Sequence, residues 1–202
     1  MTSDQLFEQL KHPNPNMQSR AMREIAESRD EQTIPKLMAI LDAEDIGYRR
    51  AAVKTMGVIG PDAVPVLAES LTQHENPTVR ASCAKALAQV AVNHKAVAFP
   101  DVGVQALRQA VNDPDPVVHL ATVMALGAVG PDVFEILAET LTTTENPAIA
   151  VATVNALGSL GDPRCQAILE EFAQNDSVDP YIKESAVSAL SRLEMLSKNQ
   201  RP

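Results

Sequence analysis

Residues 76–91 read NPTVRASCAKALAQVA, and the same sixteen-residue pattern occurs six times along this chain of 202 residues. The six copies start at residues 14, 45, 76, 115, 146 and 179, so their spacing is 31, 31, 39, 31 and 33 residues. A period of this size is typical of solenoids built from stacked helical hairpins, which present extended surfaces to other macromolecules. The other copies are NPNMQSRAMREIAESR (14–29), DIGYRRAAVKTMGVIG (45–60), DPVVHLATVMALGAVG (115–130), NPAIAVATVNALGSLG (146–161) and DPYIKESAVSALSRLE (179–194).

The pattern predicts one helix in each copy. Every copy starts with Asn or Asp, whose side chain accepts a hydrogen bond from a free backbone N–H at a helix N-terminus. Pro follows in every copy except the second, and it fits the first helical position because its missing N–H would be unpaired there. Apolar residues then recur at three- and four-residue steps, as at Val79, Leu87 and Val90. The glycines at the ends of the copies, such as Gly130, are interpreted as helix stops.

A second apolar helix is predicted between successive copies, near residues 4–11, 33–42, 63–73, 102–112, 133–143 and 165–175. The sequence therefore predicts an all-α protein, a right-handed α-solenoid of six helical hairpins with about twelve helices. Because stacked repeats share one core, we expect a single structural domain over residues 1–202. Its predicted parts are repeats at 4–29, 33–60, 63–91, 102–130, 133–161 and 165–194, an insertion at 92–101 and a polar tail at 195–202.

Composition and charge narrow the function classes. The formal net charge is -9, which disfavours general nucleic-acid binding. Residues 1–101 contain 11 Lys and Arg against 13 Asp and Glu, whereas residues 102–202 contain 6 against 13, so a basic patch fits only the first half. With two cysteines, no signal-peptide pattern at the N-terminus and no apolar run of about 18 residues, we expect a cytoplasmic protein without a membrane span.

The sequence contains none of the common catalytic or cofactor motifs. Phosphate-binding glycine loops, H-E-x-x-H, C-x-x-C and EF-hand patterns do not occur, so we predict no catalytic residue, no metal site and no resident cofactor. Cys165 is the one candidate reactive thiol, because a helix N-terminus and the neighbouring Arg164 would each lower a thiol pKa. The alternative is that Cys165 is buried where two repeats meet.

Three positions along the pattern helices predict a binding groove. The sixth and tenth residues of each copy are four apart and therefore share one helix face, and the fifth residue adjoins them. Early repeats place cations at these positions and later repeats place apolar residues there, which favours an acidic partner helix or a carboxylate-bearing tetrapyrrole. The alternative is that the arginines bond to loops and the apolar residues pack between repeats. The predicted groove residues are Arg23, Arg50, Lys54, Arg80, Lys85, His119, Leu120, Met124 and Val151.

The insertion at residues 92–101 is a second candidate contact. It is the one connector longer than its counterparts, and it contains His94 and Phe99. Irregular connectors of this kind often carry binding residues. The insertion can equally serve to extend the flanking helices and repair the junction between repeats.

The repeat sequence resembles that of a known family. Asn-Pro before Val79-Arg80, and Ala-Leu-Gly before the Gly-Asp-Pro of residues 161–163, resemble HEAT-like repeats of the phycobilin-lyase (E/Z) type over roughly residues 4–194. The third and sixth copies are also similar to cyanobacterial HEAT-repeat proteins associated with A-type iron–sulfur carriers. The resemblance implies protein partners: a phycobiliprotein, a second HEAT-like lyase subunit or an A-type carrier, with a bilin as a further ligand.

Three functions follow from the residues and the resemblance together. The first is a non-catalytic scaffold, adaptor or chaperone in the biogenesis or turnover of phycobilisome and bilin proteins. The second is an adaptor for iron–sulfur cluster assembly that binds an A-type carrier. The third is a subunit of a phycobilin lyase, which would be the only enzymatic role. The absence of catalytic motifs favours the first.

Overall fold

A computed structural model describes the backbone of residues 1–199 and the side chains of residues 1–196. Within this range the regular structure is entirely helical, in agreement with the predicted fold class. Two short 3-10 helices, Pro61–Ala63 and Pro131–Val133, follow the second and fourth copies of the pattern. The α-helices are α1 (Ser3–Gln9), α2 (Pro15–Glu27), α3 (Thr33–Ile40), α4 (Ile46–Ile59), α5 (Val64–Gln73), α6 (Pro77–Asn93), α7 (Asp101–Ala110), α8 (Pro116–Val129), α9 (Phe134–Thr143), α10 (Pro147–Ser159), α11 (Cys165–Gln174) and α12 (Pro180–Asn199).

Asn and Asp N-caps and terminal glycines bound the pattern helices as predicted. The Asp115 side chain accepts hydrogen bonds from the N–H groups of Val117 and Val118, and Asn14, Asn76 and Asn146 cap their helices in the same way. Pro occupies the first position of each of these helices. The glycines that close three copies have φ angles of 87°, 114° and 72°, a left-handed conformation that stops a helix and that other residues rarely adopt.

The helices group into two compact units, Met1–Ala110 and a second unit that begins at Val111. In the first unit α2, α4 and α6 pack side by side, and α1, α3 and α5 each pack against the pattern helix that follows. Fully buried side chains such as Leu37, Met56 and Leu87 fill this unit. In the second unit α10 packs between α8 and α12, with α9 and α11 beside it. The expectation of one continuous domain stays a prediction.

Some glycines have a role different from the predicted helix stop. Gly127 and Gly158 lie inside α8 and α10, where the next pattern helix approaches closely. A Cβ atom on Gly158 would lie 2.6 Å from the Cβ of Ala189 and 2.8 Å from its Cα. A Cβ atom on Gly127 would lie 2.9 Å from the Cβ of Ala156. These two glycines therefore set how closely the pattern helices of the second unit pack.

Helices extend past two predicted boundaries in the structure. The insertion at 92–101 is partly helical, because α6 continues to Asn93 and α7 begins at Asp101. Helix α12 continues past residue 194, since it runs to Asn199 and includes residues 195–199 of the predicted polar tail. The rest of that tail, residues 200–202, lies outside the described residues.

No single helix within residues 1–199 is both long and apolar enough to cross a membrane. One pair, Ile46–Ile59 with Pro61–Gln73, reaches the required length and composition only when both helices are taken together across a bend of 117°.

Candidate partner-binding surfaces

The fifth position of the pattern holds side chains that bond to the preceding loop. Arg80 donates from Nη1 to the carbonyl oxygens of His74 and Glu75, each at 2.9 Å. Arg49 donates in the same way to the two carbonyls before α4. Both guanidinium groups are half-buried and satisfy backbone acceptors that the helix ends leave free. Arg80, a predicted groove residue, therefore has the structural role given above as the alternative.

The tenth position of the pattern forms a line of exposed cations in the first unit. Arg23, Lys54 and Lys85 occupy equivalent sites on α2, α4 and α6, and Arg50 lies one turn before Lys54. None of these four side chains has a hydrogen bond, ion pair or ring contact with another residue in the described part of the chain. Packed helices lie about 8–10 Å apart, so equivalent sites repeat at about that spacing. We call these four residues the basic row.

The same pattern positions in the second unit are apolar. Leu120 and Met124 are exposed on α8, and 65% of the Met124 surface is accessible. Val151, on the neighbouring helix α10, is half-buried. Four residues after Val151, Asn155 donates to the Val151 carbonyl oxygen and accepts from Arg192. This face combines an exposed apolar stripe on one helix with a bonded polar pair beside it.

His119 takes the place that Arg49 and Arg80 occupy in earlier repeats. Its ring is half-buried, and its Nε2 atom is buried without a hydrogen-bond partner in the described residues. Burial lowers the pKa of His119, and the negative charge of Asp113 opposes that shift. The imidazole of His119 is too short to reach the loop carbonyls that an arginine reaches. In the fourth copy, the fifth position of the pattern therefore lacks the side-chain bond to the preceding loop.

The structure thus brings the predicted groove residues together in two sets. The basic row lies in the first unit, whereas His119, Leu120, Met124 and Val151 lie in the second. Each set is contiguous on packed pattern helices. One groove that is basic at one end and apolar at the other stays a prediction.

The insertion packs against its own unit. His94 Nε2 lies 3.1 Å from the carbonyl oxygen of Gly57 in the preceding pattern helix, and its ring covers Gly60. The Phe99 ring lies against Gly103, where a Cβ atom would be only 2.6 Å from the ring. Both side chains therefore fill the junction between repeats, which is the structural alternative given for this segment.

The surroundings of Cys165 do not favour the reactive thiol that the sequence predicts. Cys165 is fully buried, and burial raises the pKa of its thiol to about 11. Asp162 adds to the increase, and the opposing effect of Arg164 is smaller. Arg164 and the backbone at the start of α11 do lower this pKa as expected, but desolvation of the thiolate is the larger effect, so the pKa of Cys165 is raised overall and the environment does not favour a reactive thiol. Cys83 is buried too, and burial raises the pKa of its thiol to about 12.

Sequence reasoning did not foresee the charge cluster that contains Arg164. Its guanidinium binds the buried Asp162 at 2.6 Å, binds Glu135 at 3.1 Å and lies 4.4 Å from the centre of the Phe134 ring. Asp162 and Arg164 belong to the Gly-Asp-Pro-Arg turn, and this turn is the only feature of the sequence that could have indicated the cluster. This cluster ties the turn before α11 to α9, so Arg164 has a structural role.

The residues described offer no metal-binding group. Among side chains 1–196, no three or more His, Cys, Asp or Glu residues are arranged to hold an ion.

Comparisons with known proteins show what this chain resembles. A family model for HEAT repeats matches residues 3–88 and 104–191. The chain is 48% identical over 201 residues to the "Uncharacterized phycocyanin operon protein Z" of Pseudanabaena tenuis (strain PCC 7409), with 100% of both chains covered. It is 32% identical over 181 residues to the "Bilin biosynthesis protein CpeZ" of Synechococcus sp. (strain WH8020), which covers 87% of this chain and 97% of that protein.

A solved structure supports the same fold. A chain from the complex of CpcE and CpcF of phycocyanin lyase from Nostoc sp. PCC7120 superposes with a TM-score of 0.51 and 22% sequence identity, over 76% of this chain and 96% of that chain. The predicted resemblance to HEAT-like proteins of the phycobilin-lyase type is confirmed, and the link to iron–sulfur carriers stays a prediction. The chain belongs to the HEAT-repeat proteins and, within them, to the family that includes phycocyanin operon protein Z and CpeZ.

Proposed function

We propose that this chain is a partner-binding HEAT adaptor in the biogenesis of bilin-carrying proteins. The full-length similarity to phycocyanin operon protein Z and to the bilin biosynthesis protein CpeZ carries this proposal. The alignments cover 100% and 97% of these relatives, and 100% and 87% of this chain. Similarity over this length supports a shared type of partner surface, because solenoids bind through side chains presented at equivalent positions of successive repeats.

The basic row is the proposed contact for an anionic partner. Arg23, Lys54 and Lys85 are exposed, lie at equivalent sites and have no partner in the described residues, so a ligand breaks no existing ion pair when it binds. Their spacing suits carboxylates at successive positions of an acidic helix, or the carboxylates of a bilin. This positive region is local, since the chain as a whole has a net charge of -9.

Binding, and not thiol chemistry, is the activity that the described side chains support. Both cysteines are buried, and burial raises the pKa of each thiol well above neutral pH. A thiolate is the reactive form of cysteine, so neither side chain is suited to form a bond with a bilin. We therefore assign the bilin-accepting thiol to the partner protein and the holding role to this chain.

The proposal is tested with two triple variants that remove the same charge. The first, Arg23→Ala/Lys54→Ala/Lys85→Ala, removes the three cations of the basic row that occupy the tenth position of the pattern. The control, Lys36→Ala/Lys95→Ala/Arg108→Ala, removes three exposed cations outside the pattern helices. Each protein is titrated with phycocyanobilin and with apo-phycocyanin subunits at several salt concentrations, and binding is followed by absorbance and by biolayer interferometry.

The row variant should bind at least one of these ligands ten times or more weakly, and the control should bind as the parent chain does. Binding should also weaken with salt, because exposed charges are screened over about 8–10 Å at physiological ionic strength. Equal affinities for all three proteins would refute the row as the contact. Covalent attachment of bilin in the absence of any second HEAT chain would refute the adaptor role itself.

A further inference from the structure

The exposed surface of α4 and α6 is basic, although the chain as a whole is acidic. Neither helix contains Asp or Glu, whereas the chain contains 26 acidic and 17 basic residues. On α2 the acidic residues are Glu24, whose Oε1 lies 2.6 Å from Nε of Arg20, and Glu27. On α4 and α6, therefore, no carboxylate repels an anion that approaches the basic row. The exposed residues of these two helices are Ile46, Gly47, Arg50, Lys54, Thr78, Lys85, Val92 and Asn93.

The same surface lacks the features of a site for a small ligand. Such sites are concave and lined mostly by apolar side chains. On α2, α4 and α6, whose side chains are all described, the exposed large apolar residues are Ile46 and Val92, at the start of α4 and near the end of α6. A bilin has two propionate carboxylates and a large apolar body. It would leave two of the four row cations unpaired and would find no apolar lining between them.

The basic row has the dimensions of one α-helix laid across the pattern helices. Packed helices lie about 8–10 Å apart, so the backbone sites of Arg23 and Lys85 are about 16–20 Å apart. Helices α4 and α6 meet closely, since a Cβ atom on Gly57 would lie 2.4 Å from the Cβ of Gln89. Side chains seven residues apart share one face of a helix, and three of them at such steps span about 21 Å. Flexible lysine and arginine stems can take up the difference.

A helix also needs less from this surface than an extended chain does. A helix pairs its own backbone N–H and C=O groups, so contacts between side chains are enough to hold it. An extended segment would leave those backbone groups to be bonded by the surface, and the row offers only charged donors. Lys and Arg bond a carboxylate more strongly than they bond a neutral acceptor.

We propose that the basic row binds one acidic α-helix of a partner protein, which lies across α2, α4 and α6 and presents carboxylates at seven-residue steps. Arg23, Lys54 and Lys85 each pair with one carboxylate, and Arg50 supplies a second cation to the central one. The central carboxylate therefore contributes most to binding. This inference rests on the proposed function, because it names the partner of the same row.

Two helical peptides of equal composition test the proposal. Both are alanine-rich, with about 22 residues and a hydrocarbon staple, because short free helices are only marginally stable in water. One carries three glutamates at seven-residue steps, and the other carries them at five-residue steps, which spreads them around the helix. Each peptide is titrated into the isotope-labelled full chain at low ionic strength, where exposed charges are weakly screened, and binding is followed by NMR chemical shifts.

The seven-step peptide should bind the parent chain at least five times more tightly than the five-step peptide, and it should shift the signals of α2, α4 and α6. The triple variant that removes three row cations should bind it at least ten times more weakly, and the control triple variant should bind it as the parent does. Replacing the central glutamate of the peptide with glutamine should weaken binding more than replacing either of the other two. Circular dichroism confirms that both variants are folded.

Equal binding of the two peptides, or no binding of either, would overturn the proposal. If the row variant nevertheless lost affinity for phycocyanobilin, the row would be assigned to the bilin and the proposed function would stand. Unchanged affinity of the row variant for the peptides, for phycocyanobilin and for apo-phycocyanin would refute the proposed contact as well.

Discussion

Replacing Gly158 with alanine tests the packing of α10 against α12 most directly. The added Cβ atom would lie 2.6 Å from the Cβ of Ala189, 2.8 Å from its Cα and 3.1 Å from its carbonyl oxygen. Two of these three atoms belong to the backbone of α12, so a change of side-chain rotamer cannot relieve the contact. The helices must move apart, which also loosens the buried neighbours Val154 and Leu157.

The expected change in the free energy of unfolding of Gly158→Ala follows from two opposing effects. Extra methyl groups in a packed interior cost about 1–3 kcal/mol, and a backbone neighbour places this substitution toward the upper end. Alanine favours an interior helical position over glycine by about 1 kcal/mol. The free energy of unfolding should therefore fall by about 1–2 kcal/mol. For a chain of this size the melting temperature changes by about 2–4 °C per kcal/mol.

The assay is thermal unfolding followed by circular dichroism at 222 nm. The matched control is Gly47→Ala, since Gly47 is also helical and its added Cβ would meet only the Asp45 carboxylate oxygen, at 3.1 Å. The second variant, Gly158→Ala/Ala189→Gly, removes the nearest clash and should recover part of the loss. A Gly158→Ala protein as stable as the parent, or more stable, would refute the close approach of these helices.

Three further outcomes are expected. Native protein near pH 8 should react very slowly with a thiol reagent at Cys83 and Cys165, and unfolding should expose both, because burial raises the pKa of each thiol to about 12 and about 11. Arg164 lowers the pKa of Asp162, so the stabilisation from this carboxylate is present above its ordinary pKa, about 4, and is lost as the pH falls toward the folded value. Urea unfolding of Asp162→Asn should therefore show lower stability at neutral pH and a smaller loss on acidification than the parent shows. Asp115→Ala removes the cap of α8 and should lower the free energy of unfolding by about 1 kcal/mol in the same assay. Asp115→Asn should keep most of the stabilisation from the cap.

Local chemistry accounts for the parts of the fold that could be predicted. An N-cap such as Asn76, a Pro after it and a regular apolar stripe act within a few residues, so each helix and its start were readable. The repeat boundary near residue 194 stays a prediction, and α12 continues past it because the polar residues after Glu194 are compatible with helix. Terminal glycines were readable as stops, but Gly158 serves a neighbour 31 residues away in sequence.

In the candidate binding surface, too, some features could be predicted from local sequence and others depend on packing. The periodic pattern placed Arg23, Lys54 and Lys85 on one line, because equivalent positions of stacked hairpins face the same way. It left both a binding and a structural role open for Arg80, whose guanidinium turns back to loop carbonyls in the structure. That distinction depends on the path of the preceding loop. The pKa of Cys165 likewise depends on how many atoms surround it, and a sequence motif contains no measure of burial.

Repeat period and residue type thus sufficed for the helices, their order and the family, because those features depend on contacts between near neighbours in sequence. Packing between repeats decided the rest: which cations are free, which thiols are buried, and that Val187 is exposed where Val154 is covered. The pattern places the same kind of residue at both positions. Packing of α10 against α12 covers Val154, since burial is a property of the assembled stack and not of the repeat alone.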